Sequence, residues 1–323
     1  MSPFLAPRAL AEHRQRNLIH SALILGGMGG LVALAAYLLS GPAGVVASLL
    51  VVAGLAVLAP QVPPETVMRI YSARLVVPGS DPLSRLVDEL AARGELERRP
   101  QLYIVPSATL NAFATGTPGH AAIALTEGLV RRLTLREIAG VIGHEISHIR
   151  NNDLALMGLA DIMTRFVQML SYVALGLMLW NMVGMASGDR TLSWWGILLL
   201  YLAPTCMSLL QLGLSRAREF DADLEGAMLT GDPLGLASAL ARLERYTGQF
   251  WEDLVYPVPG RRVPQPSLLR SHPETHERIA RLQALTADRP LEQITVLEGP
   301  MLSPAGFGPQ QMRPRHRFPG LWY

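Results

Sequence analysis

From Leu18 to Val62 the chain carries no acidic residue, lysine or arginine, and a segment so long and so apolar belongs in lipid rather than in water. A helix needs roughly 20 apolar residues to cross the hydrocarbon of a bilayer. Ser40-Gly41-Pro42-Ala43-Gly44 interrupts the segment with a cluster that signals a turn, dividing it into 18–39 and 44–60, before Pro60, Pro63 and Pro64 end it. A cleaved signal peptide has a shorter apolar region and is not followed at once by a second one. Two more uncharged runs, 166–186 and 192–214, flank Asp189 and Arg190. The expectation is four transmembrane helices, with an interfacial hairpin as the alternative for the second pair. Composition agrees, since 17% of residues are charged against about a quarter in soluble domains. A net charge of +2 without a basic face argues against a nucleic-acid partner. The single cysteine, Cys206, lies in an apolar run, where a thiol acts as a small hydrophobe.

Between and after these runs the pattern is that of a folded, mainly α domain with a small β-sheet. Leu83, Leu86, Val87 and Leu90 recur at helical spacing up to Gly94. Leu102 to Val105 reads as a buried strand, and residues 110–115 and 120–125 bracket Gly116-Thr117-Pro118-Gly119 as a hairpin. Thr134 and Glu137 form a capping box that starts a helix. Helical spacing returns from Leu234 to Tyr246, and a last helix begins near Glu274. The expected organisation is a membrane hairpin over 1–64, a folded domain in two parts (65–165 and 215–290), a second membrane hairpin over 166–214, and a flexible tail over 291–323. Arginines flank the helix ends at Arg14, Arg16, Arg69, Arg74, Arg165, Arg216 and Arg218. By the positive-inside rule both termini and both parts of the folded domain face the cytoplasm.

His144-Glu145-Ile146-Ser147-His148 carries the chemistry. Residues four apart lie one turn up the same helix face, so both imidazoles reach one metal ion and fill two corners of a tetrahedral zinc site. Glu145 sits beside them, close enough to act on water at the metal without being a ligand. Leu135, Ile138, Ala139, Ile142 and Ile146 form an apolar stripe along the same helix, and burying such polar groups there without a purpose would be costly. A catalytic zinc takes three protein ligands and keeps one position open. The dense polar cluster from Ser215 to Asp223 offers candidates. Glu219 and Asp223 share a helix face, where like charges repel unless a cation intervenes. Glu219 as ligand with Asp223 behind a histidine fits, and a solvated acidic face with arginine counter-ions fits equally well.

These segments resemble the HtpX family of membrane zinc endopeptidases, gluzincin relatives of the CAAX prenyl proteases. The likeness rests on His144 to His148, on Glu219, Ala222 and Asp223, on Asn111-Ala112-Phe113-Ala114-Thr115-Gly116, and on Ser271-His272-Pro273-Glu274 followed by Arg278. It covers roughly residues 15–285; the proline-rich loop over 256–266 and the tail lie outside the family pattern. The resemblance implies a zincin-like catalytic domain, one Zn2+ per subunit with Glu219 as third ligand, and His272 or Arg278 near the site as stabilisers of the oxyanion. It also implies polypeptide substrates, damaged membrane proteins in particular, in the bacterial inner membrane. Asn111, Ala112, Phe113 and Ala114 are then read as an edge strand that pairs with extended substrate, with an ordinary turn-flanking role for Asn111 as the alternative. The rival readings are a specific processing protease of the CAAX type and a non-catalytic scaffold with a vestigial metal site.

Overall fold

A computed structural model describes residues 7–58, 63–79, 81–187, 194–253 and 275–288. The chain begins with α1 (Pro7–Leu58) and the short α2 (Pro64–Ile70). Strand β1 (Arg74–Leu75) leads to α3 (Pro82–Arg93), β2 (Gln101–Val105), β3 (Ala112–Thr117) and β4 (His120–Thr126). Helices α4 (Glu127–Arg132), α5 (Leu135–Arg150), α6 (Asp153–Ser187), α7 (Trp194–Thr230), α8 (Pro233–Asp253) and α9 (Thr275–Asp288) follow.

The long apolar helices number three among the described residues, not the four expected. No loop separates the two halves of the first apolar segment. Within α1 two helices are joined directly at a kink on Gly41, whose φ of 63° and ψ of −153° are non-helical and open to glycine without strain. Beyond the break the backbone folds close on itself: a Cβ on Gly44 would come within 2.5 Å of the Ala36 carbonyl oxygen.

Helices α6 and α7 also run well past the apolar stretches that announced them. At about 1.5 Å per residue, the 37 residues of α7 extend about 55 Å, against about 30 Å of hydrocarbon. The first half of α7 is apolar, and its second half carries Ser215, Arg218, Glu219 and Asp223. Hydropathy falls where the arginines begin, but nothing between Trp194 and Thr230 stops the helix except Pro204, which it accommodates. Both helices therefore cross the expected boundaries at 165/166 and 214/215 without a break.

Met28 and Val32 of α1, Ala160, Met163 and Val167 of α6, and Met207 and Leu214 of α7 pack together as one apolar cluster. The outer surface of the same helices is apolar too, with Leu23 67%, Val57 83%, Trp180 74% and Trp195 76% exposed. A water-facing helix would turn polar residues outward, so this surface is suited to lipid.

The sheet has the order β1-β2-β4-β3. Strand β4 runs parallel to β2 and antiparallel to β3, so β3 forms one edge. Alternate residues of a strand face opposite sides. Leu102 and Ile104 accordingly pack with Leu83, Leu86 and Leu90 of α3 and Ile138, Ile142 and Ile146 of α5. Tyr103 and Val105 pack on the other side with Met68. Both faces are covered, which is why β2 reads as a continuous apolar run.

Candidate metal centre

Helix α5 starts with the expected capping box: Thr134 Oγ1 accepts from the Glu137 amide at 3.3 Å, and Glu137 Oε2 accepts from the Thr134 amide at 2.8 Å. Glu137 is held further by Ser238 Oγ of α8, which donates to its Oε1 at 2.6 Å. One turn from its C-terminal end, α5 presents His144 and His148, with Glu145 between them. Against this face packs the polar half of α7. The two helices meet backbone to backbone: a Cβ on Gly226 would lie 2.8 Å from the His144 nitrogen.

This approach brings Glu219 to the histidines. Nε2 of His144 and Nε2 of His148 are 3.2 Å apart. Glu219 Oε2 lies 3.5 Å from the first and Oε1 3.7 Å from the second. Donors about 2.0–2.2 Å from one tetrahedral ion stand about 3.3–3.6 Å from each other, so the triangle of side chains, measured to the nearer oxygen of Glu219 for each ring, is close in size to one face of such a site. Two imidazoles and one carboxylate are a donor set for a divalent metal. Among the described residues, His144, His148 and Glu219 are the group of metal-ligating side chains that converges in this way.

The far nitrogens of the rings are engaged as well. Nδ1 of His144 lies 3.1 Å from Asp223 Oδ1. Arg278 of α9 grips that carboxylate with two contacts of 2.6 Å and approaches Glu219 Oε2 at 3.3 Å. Arg278 is buried to 1% exposure, so α9 reaches the centre through this residue. His148 Nδ1 is hydrogen-bonded to Asp153 Oδ2 at 2.9 Å. Without a metal, burial lowers the pKa of His144, but hydrogen bonds to Asp223 and Glu219 and their charges outweigh it and push the value up to about 10.

Glu145 is buried beside the triangle. Burial pushes its carboxyl above the ordinary value, and the adjacent His144 and His148 and the backbone amide of Ala114 pull the other way. Ala114 belongs to β3, so the edge strand and the α5 helix meet at Glu145. On β3, Ala112 and Ala114 turn inward, and Phe113 packs on Tyr71 with ring centroids 5.3 Å apart. Asn111 is buried just before the strand; its amide donates to Thr126 Oγ1 at 2.9 Å and its carbonyl accepts from the Thr126 amide at 3.0 Å. His272 lies outside the described residues.

The sequence reading singled out His144, Glu145, His148, Glu219, Asp223 and Arg278, and these come together in one place. Asp153 was not singled out. The signal available was Asn151-Asn152-Asp153 directly after the motif helix: Asn152 has φ 54°, a left-handed conformation that asparagine tolerates, and it turns the chain so that Asp153 meets His148.

Histidine nitrogens from α5 and a carboxylate from the polar half of α7, whose other half is apolar, brought to the spacing of one coordination shell, are the arrangement of a membrane metallopeptidase. The chain belongs to peptidase family M48, whose model matches residues 80–286. It is 38% identical to the protease HtpX homolog of Acaryochloris marina over 288 residues, covering 83% of this chain and 94% of that one. The HtpX homologs of Kineococcus radiotolerans (37% over 298 residues, 86% and 99%) and Desulfatibacillum aliphaticivorans (34% over 278 residues, 82% and 89%) are similar as well. Among solved structures, S. mikatae Ste24p superposes with a TM-score of 0.42 at 19% identity, over 84% of this chain and 66% of that one. The protein is thus a membrane-bound metalloprotease acting on polypeptides.

Proposed function

We propose that the metal is a single zinc ion held by His144, His148 and Glu219, and that the protein is an endopeptidase cutting damaged or misassembled membrane proteins at the cytoplasmic face of the bacterial inner membrane. The observation that carries this reading is the set of 3.2, 3.5 and 3.7 Å separations among the two ring nitrogens and the two carboxylate oxygens of Glu219, with Glu145 adjoining them. A bound zinc ion supplies Lewis acidity, lowering the pKa of water and polarising a carbonyl. Glu145 takes the proton of the attacking water and passes it to the leaving amine. Its buried setting keeps that proton from bulk solvent and raises its basicity.

Strand β3 is the edge of the sheet next to Glu145, a position suited to an extended peptide that adds to the sheet. Asn111, Ala112, Phe113 and Ala114 would align it. Arg278 is occupied by Asp223 and Glu219, so we read it as an orienting group and His272 as the remaining candidate for oxyanion stabilisation. Cytoplasmic orientation is supported by the exposed Arg69, Arg74, Arg165 and Arg216 around the catalytic part. The preference for damaged membrane proteins rests on the family.

The test compares wild type with Glu145→Gln, both purified in detergent with zinc, on a membrane-protein substrate. The substitution is expected to lower the cleavage rate by about 10²–10⁴-fold with zinc content unchanged. Equal rates for the two proteins would end this account of Glu145.

A further inference from the structure

Each histidine of the centre has its own carboxylate, and each carboxylate its own arginine. On one side stands His144–Asp223–Arg278. On the other stands Asp153, whose Oδ2 holds His148 Nδ1 at 2.9 Å and whose Oδ1 lies 3.3 Å from Arg218 Nη1. Arg218 in turn donates to Asp221 Oδ2 at 2.7 Å. Asp153 and Arg218 are buried, at 3% and 7% exposure.

We propose that Asp153, backed by Arg218, is a positioning residue for the ligand His148, an inference that rests on the metal site proposed above. A carboxylate at Nδ1 keeps the hydrogen on that nitrogen and leaves the Nε2 lone pair for the metal, fixing the tautomer and the ring plane together. Asp153 does this from outside the motif helix. It opens α6, where the positive end of the helix dipole favours its negative charge, and the left-handed turn at Asn152 sets it against a ring five residues back in the chain. Arg218 occupies the other carboxylate oxygen and so prevents Asp153 from rotating away. Arg218 precedes Glu219 on α7, so the helix that brings the third donor also steadies the second. The three ligand positions are thereby coupled through α6 and α7, and His148 is not held by its own helix alone.

The test uses the full-length protein in detergent, loaded with Co2+ in place of zinc, and reads the visible absorption band and the metal affinity by chelator competition. Asp153→Ala is expected to weaken Co2+ binding roughly 10–100-fold and to alter the band. Asp153→Asn keeps an acceptor for Nδ1–H and is expected to recover most of the affinity and the wild-type band. Thermal melting of the metal-free variants checks that the fold is intact. If a folded Asp153→Ala binds Co2+ as tightly as wild type with the same spectrum, the positioning role is overturned while the metal site stands. If wild type itself binds no Co2+ and His148→Ala makes no difference, both readings are overturned.

Discussion

At His144 two opposing effects act on one ring. Burial disfavours a charged imidazole, yet Asp223 and Glu219 hold the metal-free pKa at about 10, so the metal-free ring is protonated at neutral pH. A folded-state pKa above the ordinary 6.5 means that the stabilisation from this proton is fully present below pH 6.5 and is lost as pH rises through about 10. Thermal melts of the metal-free protein should decline across that window. Metal must displace the same proton. Calorimetry at pH 8 in buffers of different ionisation enthalpy should register about one proton released per ion, with apparent affinity rising about tenfold per pH unit toward pH 10; metal uptake without proton release would contradict the assignment of His144. The two histidines were legible in the sequence because both sit on one helix at a spacing that only a shared partner explains. Asp153 was not, because a carboxylate just past a helix end is ordinary, and only the turn at Asn152 gives it a ring to hold.

Between elements, the decisive contact is the one in which α5 and α7 touch through glycine. A methyl group on Gly226 would meet backbone atoms of His144 at 2.8 and 3.0 Å, and backbone yields only by moving a helix. Gly226→Ala should therefore separate the helices and cost about 1–3 kcal/mol, with weakened metal binding, because Glu219 lies two turns away on the same helix. Gly213→Ala on α7 meets nothing within 4 Å and should be neutral or stabilising in the same thermal melts. If both variants behave alike, glycine contact is not what sets the helix spacing. Periodicity and the capping box made α3, α5 and β2 legible, since each has a local signal. Strand β1 has two residues and no pattern to read. The ends of α6 and α7 were misplaced because hydropathy follows the solvent, whereas helical hydrogen bonding continues through a change of solvent.

For the molecule as a whole, the apolar clusters around the sheet and between α1, α6 and α7 are built without His144, His148 or Glu219. Metal removal should accordingly stop cleavage while leaving the helical circular dichroism nearly unchanged, and added zinc should restore the activity. Collapse of the helical signal on chelation would mean that the metal is part of the fold's foundation. The membrane character of the chain was plain from its uncharged runs, but the way the first run is divided was not, because a glycine-proline turn in a loop and a kink that joins two helices directly are written with the same residues. The continuity of α7 has a further consequence. One end of this rod answers to lipid tails, and the other presents an oxygen whose position against two nitrogens on a separate helix must hold to fractions of an ångström. A tilt imposed by a thicker or thinner membrane would thus be passed along α7, as by a lever, to the Glu219 carboxylate. In vesicles of graded acyl-chain length the enzyme should peak at one thickness, and so act as a gauge of the membrane in which it works.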